Sequence, residues 1–306
     1  MKQLLSILLA VASIILAHAQ PQQTLNTDAI KNKWKDIPYA SVSPAQKLDV
    51  YTPSVGNGPF PVILAIHGGA FKFGDKAAGE IAPMLEGLER GYAVVSINYR
   101  MSGEAKAPKL INDVKAAIRW IRAHAKEYKF DGSKIAAWGA SAGGHLSALA
   151  GTTGNIRELE DLSLGNPNES SAIQAVVDWY GPINFLTMDD QYGMLGVKGM
   201  PHNPADSPES EVIGKHIIHA HEEVKAFNPE TYISKDDPPF LIQHGSKDPL
   251  IPYLQSTVFA NALYKVLGTE KVSFELLEGA GHGGPQFSSP ENLQKIYAFL
   301  DMHLKK

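Results

Sequence analysis

Strand-length apolar runs that alternate with helical segments constrain the fold of this chain more than any other feature. Several runs have the length and the Val, Ile and Leu content of buried strands. They read KLDVYTPS, FPVILAIHGG, YAVVSINYR, SKIAAW, IQAVVDWYG, PPFLIQHG and VSFELLEG. The clearest helical stretch, between Pro108 and Phe130, repeats its apolar residues about every 3.6 positions. The sequence therefore predicts an α/β fold, with a mostly parallel central sheet and helices on both faces.

One catalytic domain over residues 20–306 is the simplest organisation that fits this pattern. Residues 20–46 read as a polar leading segment, and the pattern predicts a helix over 76–89. A long polar insert, residues 184–228, separates two of the predicted strands. We expect this insert to cover the site as a lid, with a plain surface excursion as the alternative.

The N-terminus has the features of a secretory signal peptide. Lys2 precedes an apolar run from Leu4 to Ala17, and Ala17-His18-Ala19 has the small-x-small form of a cleavage site. A membrane anchor is the alternative, but the run is shorter than the ~20 apolar residues that a bilayer span needs. We therefore expect residues 1–19 to be a signal peptide, with cleavage near Ala19 and a secreted or periplasmic protein.

Composition removes several classes of function. The net charge is −4, so no basic field favours nucleic acid or an anionic membrane as a partner. The chain has no cysteine, which excludes disulfides, cysteine nucleophiles, thiolate zinc sites and iron–sulfur clusters. Four histidines in the insert are more typical of a solvated surface than of a metal site: His202, His216, His219 and His221. We predict neither a metal nor a cofactor.

The stretch WGASAGGHL, residues 138–146, contains one serine among very small residues, directly after a predicted strand. A sharp strand-to-helix turn forces its central residue into a strained backbone conformation. Gly139 and Gly143, two positions either side of Ser141, leave room for such a turn. The five-residue pattern is weak by itself, but in this context it predicts that Ser141 is a nucleophile.

A nucleophilic serine needs a base, and three histidines are followed by glycine: His67, His244 and His282. His282 follows the last predicted strand, in EGAGHGG, where a loop can bring its imidazole to Ser141. We expect His67 to brace its own loop and His244 to satisfy buried backbone groups. His145 is expected to pack on a helix face.

The base in turn needs a buried carboxylate. Asp248, in QHGSKDPLIP, follows the predicted strand before that of His282, so the two loops should be neighbours. Asp178, in VVDWYG, is the alternative from an earlier strand. Asp236 and Asp237 precede a strand and should lie at the opposite edge of the sheet.

Negative charge on an attacked carbonyl oxygen requires backbone N–H donors. HGGAF follows a predicted strand, and we expect the donors to be the N–H groups of Gly68, Gly69, Ala70 and Ala142. Aromatic residues near the predicted strand ends are candidates for the substrate pocket: Phe71, Trp179 and Tyr180.

These motifs resemble the α/β-hydrolase superfamily, in which the triad follows the order Ser, Asp, His. Residues 45–304 are similar to the BD-FAE group of bacterial carbohydrate esterases, which includes acetyl xylan and feruloyl esterases. The likeness is dense around Ser141, Asp248 and His282. It weakens over 188–223, and Ala70 stands where relatives with an HGGG motif have a third glycine.

The resemblance implies a secreted serine carboxylesterase that acts through a Ser-His-Asp triad and an acyl-enzyme. The expected substrates are acetyl or feruloyl esters on plant polysaccharide. The ester can be part of the polysaccharide or of a small molecule. A general short-chain carboxylesterase or lipase-like enzyme is one alternative, and a non-catalytic binding protein with this fold is another. The sequence makes no prediction about oligomeric state.

Overall fold

A computed structural model describes residues 24–305, and in it eight strands form one sheet in the order β1-β2-β4-β3-β5-β6-β7-β8. The strands are β1 (Asn32–Pro38), β2 (Lys47–Thr52), β3 (Phe60–Ile66), β4 (Ala93–Ile97), β5 (Phe130–Ala140), β6 (Ala175–Trp179), β7 (Phe240–Gly245) and β8 (Val272–Leu277). Strand β2 pairs antiparallel with β1 and β4, and every other pairing is parallel. The predicted signal peptide, residues 1–19, lies outside the described residues.

Helices cover both faces of this sheet. They are α1 (Ala82–Leu85), α2 (Lys109–Ala123), α3 (Ala125–Tyr128), α4 (Ala142–Thr152), α5 (Met188–Leu195), α6 (Pro208–Ile213), α7 (His221–Phe227), α8 (Leu254–Leu267) and α9 (Pro290–Leu304). Apolar residues of α2, α4 and α8 share one core cluster, and those of α1 and α9 share a second. The predicted α/β architecture, a mostly parallel sheet covered on both sides, is confirmed.

Strand β3 shows why the central strands are continuously apolar. Alternate residues of a strand point to opposite faces of its sheet. Val62, Leu64 and Ile66 belong to one core cluster, whereas Ile63 and Ala65 belong to the other. All five are fully buried, so neither face of this strand can carry a polar side chain without a cost.

One strand was missed and one local expectation was wrong. The polar leading segment contains β1, which lies at one edge of the sheet and, among residues 24–305, pairs with β2 alone. Edge strands commonly carry charged residues, so β1 lacks the apolar signature of the central strands. The helix expected over 76–89 is instead α1 flanked by 3-10 turns at Gly79–Ile81 and Glu86–Arg90. The glycines and the proline of this segment disfavour a continuous α-helix.

The insert, residues 184–228, folds into short helices that contact two loops at the carboxyl edge of the sheet. Met200 N–H donates to Pro249 O (2.9 Å), and His202 Nε2 lies 2.9 Å from Leu250 O. Lys72 forms an ion pair with Glu211 (2.7 Å). That the insert acts as a lid stays a prediction. Over residues 24–305, no helix has the length and apolar character to cross a membrane.

Candidate active site

Ser141, Asp248 and His282 lie together beyond the carboxyl ends of β5, β7 and β8. His282 Nε2 is 2.9 Å from Ser141 Oγ, and His282 Nδ1 is 2.7 Å from Asp248 Oδ2. Because β7 and β8 are parallel neighbours, the loops that carry the acid and the base meet at one edge. The three side chains form one continuous line of hydrogen bonds, the arrangement that serves nucleophilic attack by a serine.

Ser141 occupies a sharp turn between β5 and α4. Its φ of 55° and ψ of −121° are strained for a residue with a side chain. A Cβ at Gly139 would collide with the carbonyl of Gly143, and a Cβ at Gly143 would collide with the Ile66 carbonyl oxygen. Only glycine fits at these two positions, which is why the segment around the serine contains such small residues.

Asp248 accepts hydrogen bonds on both carboxylate oxygens. Oδ1 accepts from the N–H groups of Leu250 (2.8 Å) and Ile251 (3.0 Å). Oδ2 contacts His282 and also His244 Nε2 at 3.2 Å. Burial by itself would raise the pKa of Asp248, but the charge of His282 and the hydrogen bonds from both histidines outweigh it. The pKa therefore lies well below its usual range.

His244 is a contact of the acid that the sequence analysis missed. The expectation was that it satisfies buried backbone groups, and Nε2 does lie 3.0 Å from Ile251 O. The same nitrogen faces the Asp248 carboxylate, so both of its neighbours are acceptors and Nε2 carries the proton. Nδ1 then accepts from Ser256 Oγ at 2.7 Å. The four-residue spacing in HGSKD is the one sequence signal that links His244 to Asp248.

The loop that follows β3 passes close to the serine, since a Cβ at Gly68 would lie 3.3 Å from Ser141 Cβ. Among residues 24–305, the N–H groups of Gly69 and Ala70 have no backbone or side-chain acceptor. Ala142 is the first residue of α4, where backbone N–H groups have no partner within the helix. These three donors are available to bind an oxyanion.

Gly68 was also expected to supply an N–H donor to the oxyanion. Its N–H instead donates to Glu80 Oε1 at 2.7 Å, so this donor is already satisfied. Glu80 lies in the 3-10 turn before α1, 12 residues after Gly68 and outside the HGGAF motif. No local pattern marks a lone glutamate in such a turn, and only the tertiary fold brings it to the loop.

The other candidates for base and acid lie elsewhere. His67 is buried, stacks on Tyr99 and contacts Gly68 O (2.7 Å) with Nδ1. His145 is buried on α4 with Nδ1 2.6 Å from Pro182 O. Burial lowers the pKa of each imidazole to about 4, so both are neutral at pH 7. Asp178 is buried in β6 and accepts from Gly181 N–H (2.9 Å).

A cavity of about 370 Å³ lies beside His282. Its lining residues are Gly79, Glu80, Ala82, Pro83, Glu86, Trp179, Tyr180, Gly284, Phe287 and Ser288. The Tyr180 ring lies 4.6 Å from that of His282, centroid to centroid. Phe71, in contrast, is buried against Phe185 and Phe227 and does not line this cavity. A second cavity, of about 70 Å³, lies by Asp236 and Asp237, before β7.

Two histidines of the insert, His202 and His216, make polar contacts with different partners. His202 Nδ1 lies 3.0 Å from Glu209 Oε1, and both side chains are buried. His216 Nε2 contacts Asn203 O at 2.7 Å. Across the part of the chain that the structure describes, no group of three or more potential ligands is placed to hold a metal ion.

Comparison with known proteins gives the chain its family. The BD-FAE family profile matches residues 48–263. Among curated proteins of Mycobacterium tuberculosis, esterase LipC is 34% identical over 243 residues, which cover 78% of this chain and 57% of that protein. The probable carboxylic ester hydrolase LipM is 32% identical over 275 residues, 86% of this chain and 61% of that protein. The chain thus spans about three fifths of the length of these relatives.

Solved structures agree with this assignment. A truncated carbohydrate esterase from gut microbiota is 34% identical with a TM-score of 0.81, covering 93% of this chain and 100% of that one. A bifunctional GH43-CE protein of Bacteroides eggerthii is 37% identical with a TM-score of 0.78, covering 88% of this chain and 35% of that one. Esterase 2 of Thermogutta terrifontis, phosphonylated by sarin, is 26% identical with a TM-score of 0.72, covering 89% of this chain and 95% of that one. The chain belongs to the BD-FAE family and has the α/β-hydrolase fold.

Proposed function

We propose that this protein is a serine carboxylesterase. The observation that carries the proposal is the unbroken hydrogen-bond line from Asp248 through His282 to the strained Ser141. His282 takes the Ser141 proton as the hydroxyl oxygen attacks the ester carbonyl, and it then gives that proton to the leaving alcohol. An acyl-enzyme remains on Ser141. Water, activated by His282 in the same way, releases the acid and restores the serine.

Asp248 acts through His282 in this scheme. Its carboxylate holds Nδ1–H, so that Nε2 is the basic nitrogen that faces Ser141. The free N–H groups of Gly69, Ala70 and Ala142 stabilise the oxyanion of each tetrahedral intermediate. Losing one such donor typically costs ~3 kcal/mol of barrier.

We propose acetyl or feruloyl esters on plant polysaccharide as the substrates. One structural relative is described as a carbohydrate esterase and another as a bifunctional GH43-CE protein, and the cavity beside His282 has room for a sugar or an aryl group. The partner of the enzyme is then a small-molecule or polysaccharide ester. The predicted signal peptide, residues 1–19, supports a secreted or periplasmic enzyme that meets such substrates outside the cytoplasm.

A general short-chain carboxylesterase is the second candidate. The relatives LipC and LipM are described as an esterase and a probable carboxylic ester hydrolase, without reference to carbohydrate. The two candidates share their chemistry and differ only in the alcohol and acyl groups that they accept.

The decisive experiment is hydrolysis of p-nitrophenyl acetate by residues 20–306, with Ser141→Ala as the test variant and Ser133→Ala as the matched control. Ser133 is an exposed serine in β5, remote from the site. We expect Ser141→Ala to lose at least about 10³-fold in kcat/KM and the control to keep its activity. Labelling by an organophosphonate, mapped by mass spectrometry, should occur at Ser141.

Acetylated xylan and methyl ferulate then separate the two candidates. A polysaccharide esterase should hydrolyse these with higher kcat/KM than simple short-chain esters, whereas a general carboxylesterase should show the reverse. Full activity of Ser141→Ala would refute the serine mechanism.

A further inference from the structure

The cavity beside His282 combines carboxylates with aromatic rings. Glu80 and Glu86 supply the carboxylates, and Trp179, Tyr180 and Phe287 supply the rings. Among the lining residues that the structure describes, none is Lys or Arg. Carboxylates accept hydrogen bonds from hydroxyl groups and repel other anions, while aromatic faces bury apolar C–H surface.

Glu80 is held in place close to the nucleophile. Its Oε1 accepts the Gly68 N–H at 2.7 Å, and Oε2 has no hydrogen-bond partner among residues 24–305. A Cβ placed on Gly68 would lie 3.4 Å from Glu80 Oε2 and 3.3 Å from Ser141 Cβ, so the free oxygen and the serine are both next to Gly68. A fixed carboxylate with one free oxygen is therefore available to a substrate bound at Ser141.

Tyr180 places a second polar group at the cavity. Its hydroxyl makes no hydrogen bond to any described residue, and it is not among the buried polar atoms, so it is open to the cavity. Its ring contacts His282 (4.6 Å) and Phe287 (4.7 Å), and Gly283 lies beside its hydroxyl group. The free hydroxyl lies at the wall of the cavity, where a polar ligand would satisfy it.

The position of His282 decides which part of an ester this cavity faces. The leaving alcohol must take its proton from His282 Nε2, so the alcohol lies on the side of this imidazole. The Tyr180 ring packs against the imidazole at a tilt of 58°, and Gly284, two residues beyond His282, also lines the cavity. The alcohol is therefore the part of the substrate that the cavity adjoins.

We infer that this cavity binds the alcohol part of the ester, and that it selects an uncharged ring with hydroxyl groups over an alcohol that carries a carboxylate. The hydroxyls donate to Glu80, the aromatic rings cover one face of the ring, and the two carboxylates repel an anion. This inference rests on the proposed esterase activity.

The test uses two acetyl esters that differ by one group: methyl glucoside and methyl glucuronoside, each acetylated at the same hydroxyl. The ratio of their kcat/KM values is measured at pH 8 and low ionic strength, where carboxylates are ionised and weakly screened. Glu80→Gln removes a charge but keeps an oxygen that can accept the Gly68 N–H. Glu86→Gln removes the outer charge, and Glu89→Gln is the matched control, exposed and outside the lining.

We expect the wild-type protein to prefer the neutral sugar by about tenfold or more, a preference that repulsion at this range can supply. Glu80→Gln should remove most of that preference, Glu86→Gln a smaller part, and Glu89→Gln none. Because the readout is a ratio, a general loss of activity in a variant does not affect it.

Three results would overturn the inference. One is a wild-type ratio within twofold of unity, and another is an unchanged ratio in both Glu80→Gln and Glu86→Gln. The third is hydrolysis of p-nitrophenyl acetate without hydrolysis of either sugar ester; the esterase proposal would then stand and this inference alone would fall. A wild-type protein inactive on every ester refutes the proposed function itself.

Discussion

Asp248 and Asp178 are two buried aspartates at the carboxyl ends of neighbouring strands, and their environments are opposite. The carboxylate of Asp248 faces two histidines and two backbone N–H groups. Asp178 accepts one hydrogen bond, from Gly181, and its Oδ2 has no partner among the described residues. Burial raises the pKa of Asp178 to about 7, whereas the pKa of Asp248 is held well below its usual range.

The difference shows that burial alone does not identify a functional carboxylate. Desolvation disfavours the charged form of both groups, and at Asp248 the charge of His282 and the hydrogen bonds from the two histidines outweigh it. Asp248 is ionised and can orient an imidazole. Asp178 is only partly ionised at pH 7 and lies against the first turn of α4, where a Cβ at Gly144 would collide with its Oδ1.

Replacing each aspartate by asparagine is the strongest test of this comparison. Asp248→Asn should lower kcat/KM on p-nitrophenyl acetate by about 10³–10⁴-fold, because the amide cannot hold His282 in the required tautomer. Asp178→Asn should change it by less than about threefold. A similar loss of activity in both variants would contradict the assignment of Asp248 as the acid.

The pH dependence of stability should reveal the raised pKa of Asp178. Its pKa is raised on folding from 3.8 to about 7, so its stabilising contribution is complete below pH 4 and is lost as pH rises towards 7 and above. Asn does not titrate. Thermal unfolding gives the free energy of unfolding of Asp178→Asn and of wild type at pH 4 and pH 8. From pH 4 to pH 8, the variant should gain up to about 4 kcal/mol in this free energy relative to wild type. If the difference in free energy of unfolding between variant and wild type were the same at both pH values, Asp178 would be solvated.

Gly144→Ala should disturb the contact between α4 and Asp178. The new Cβ would collide with Asp178 Oδ1 and lie 2.8 Å from Trp179 O. We expect a loss of about 2–3 kcal/mol in the free energy of unfolding, measured by urea titration. Gly193→Ala is the matched control, since a Cβ in that helix meets nothing within 4 Å, and it should gain up to about 1 kcal/mol.

His244→Ala should lower activity much less than Asp248→Asn does. It removes one of the two imidazoles at Asp248, and the pKa of that carboxyl should rise towards its usual value. We expect kcat/KM to fall about tenfold at neutral pH and further below pH 5. Ser256→Ala, which leaves the contact between His244 and Asp248 in place, should lower it by less than about threefold. Equal effects of the two substitutions would place His244 in a packing role only.

The elements that the sequence predicted well are those with strong local signals. The central strands are continuously apolar, and the glycines around Ser141 follow from a turn too tight for side chains. Strand β1 was missed and the 76–89 segment was predicted incorrectly, because an edge strand and a set of 3-10 turns lack a sharp period. Phe71 looked like a pocket residue beside HGG, but its side chain packs in the core.

The residues of the site likewise divide into those that local sequence predicted and those that it did not. Ser141, Asp248 and His282 each follow a strand, and in a parallel sheet the carboxyl ends of the strands share one edge, so local sequence was enough to bring them together. Gly68 was assigned as a free donor because the motif contains no sign of Glu80. The contact of His244 with Asp248 was also missed, since it depends on how one turn folds back on its own strand.

The sequence by itself determined the order of the seven strands β2 to β8, the turn at Ser141 and the residue types at the carboxyl edge, because each follows from periodicity or steric fit over a few residues. Only the tertiary structure decided which buried carboxylate is charged, which N–H groups stay free and what lines the cavity beside His282. Those properties depend on groups that are not neighbours in the chain, such as Glu80 beside Gly68, 12 residues apart, and Tyr180 beside His282, much further apart. Electrostatics and cavity shape are set by distances in space, and no local pattern of residues encodes them.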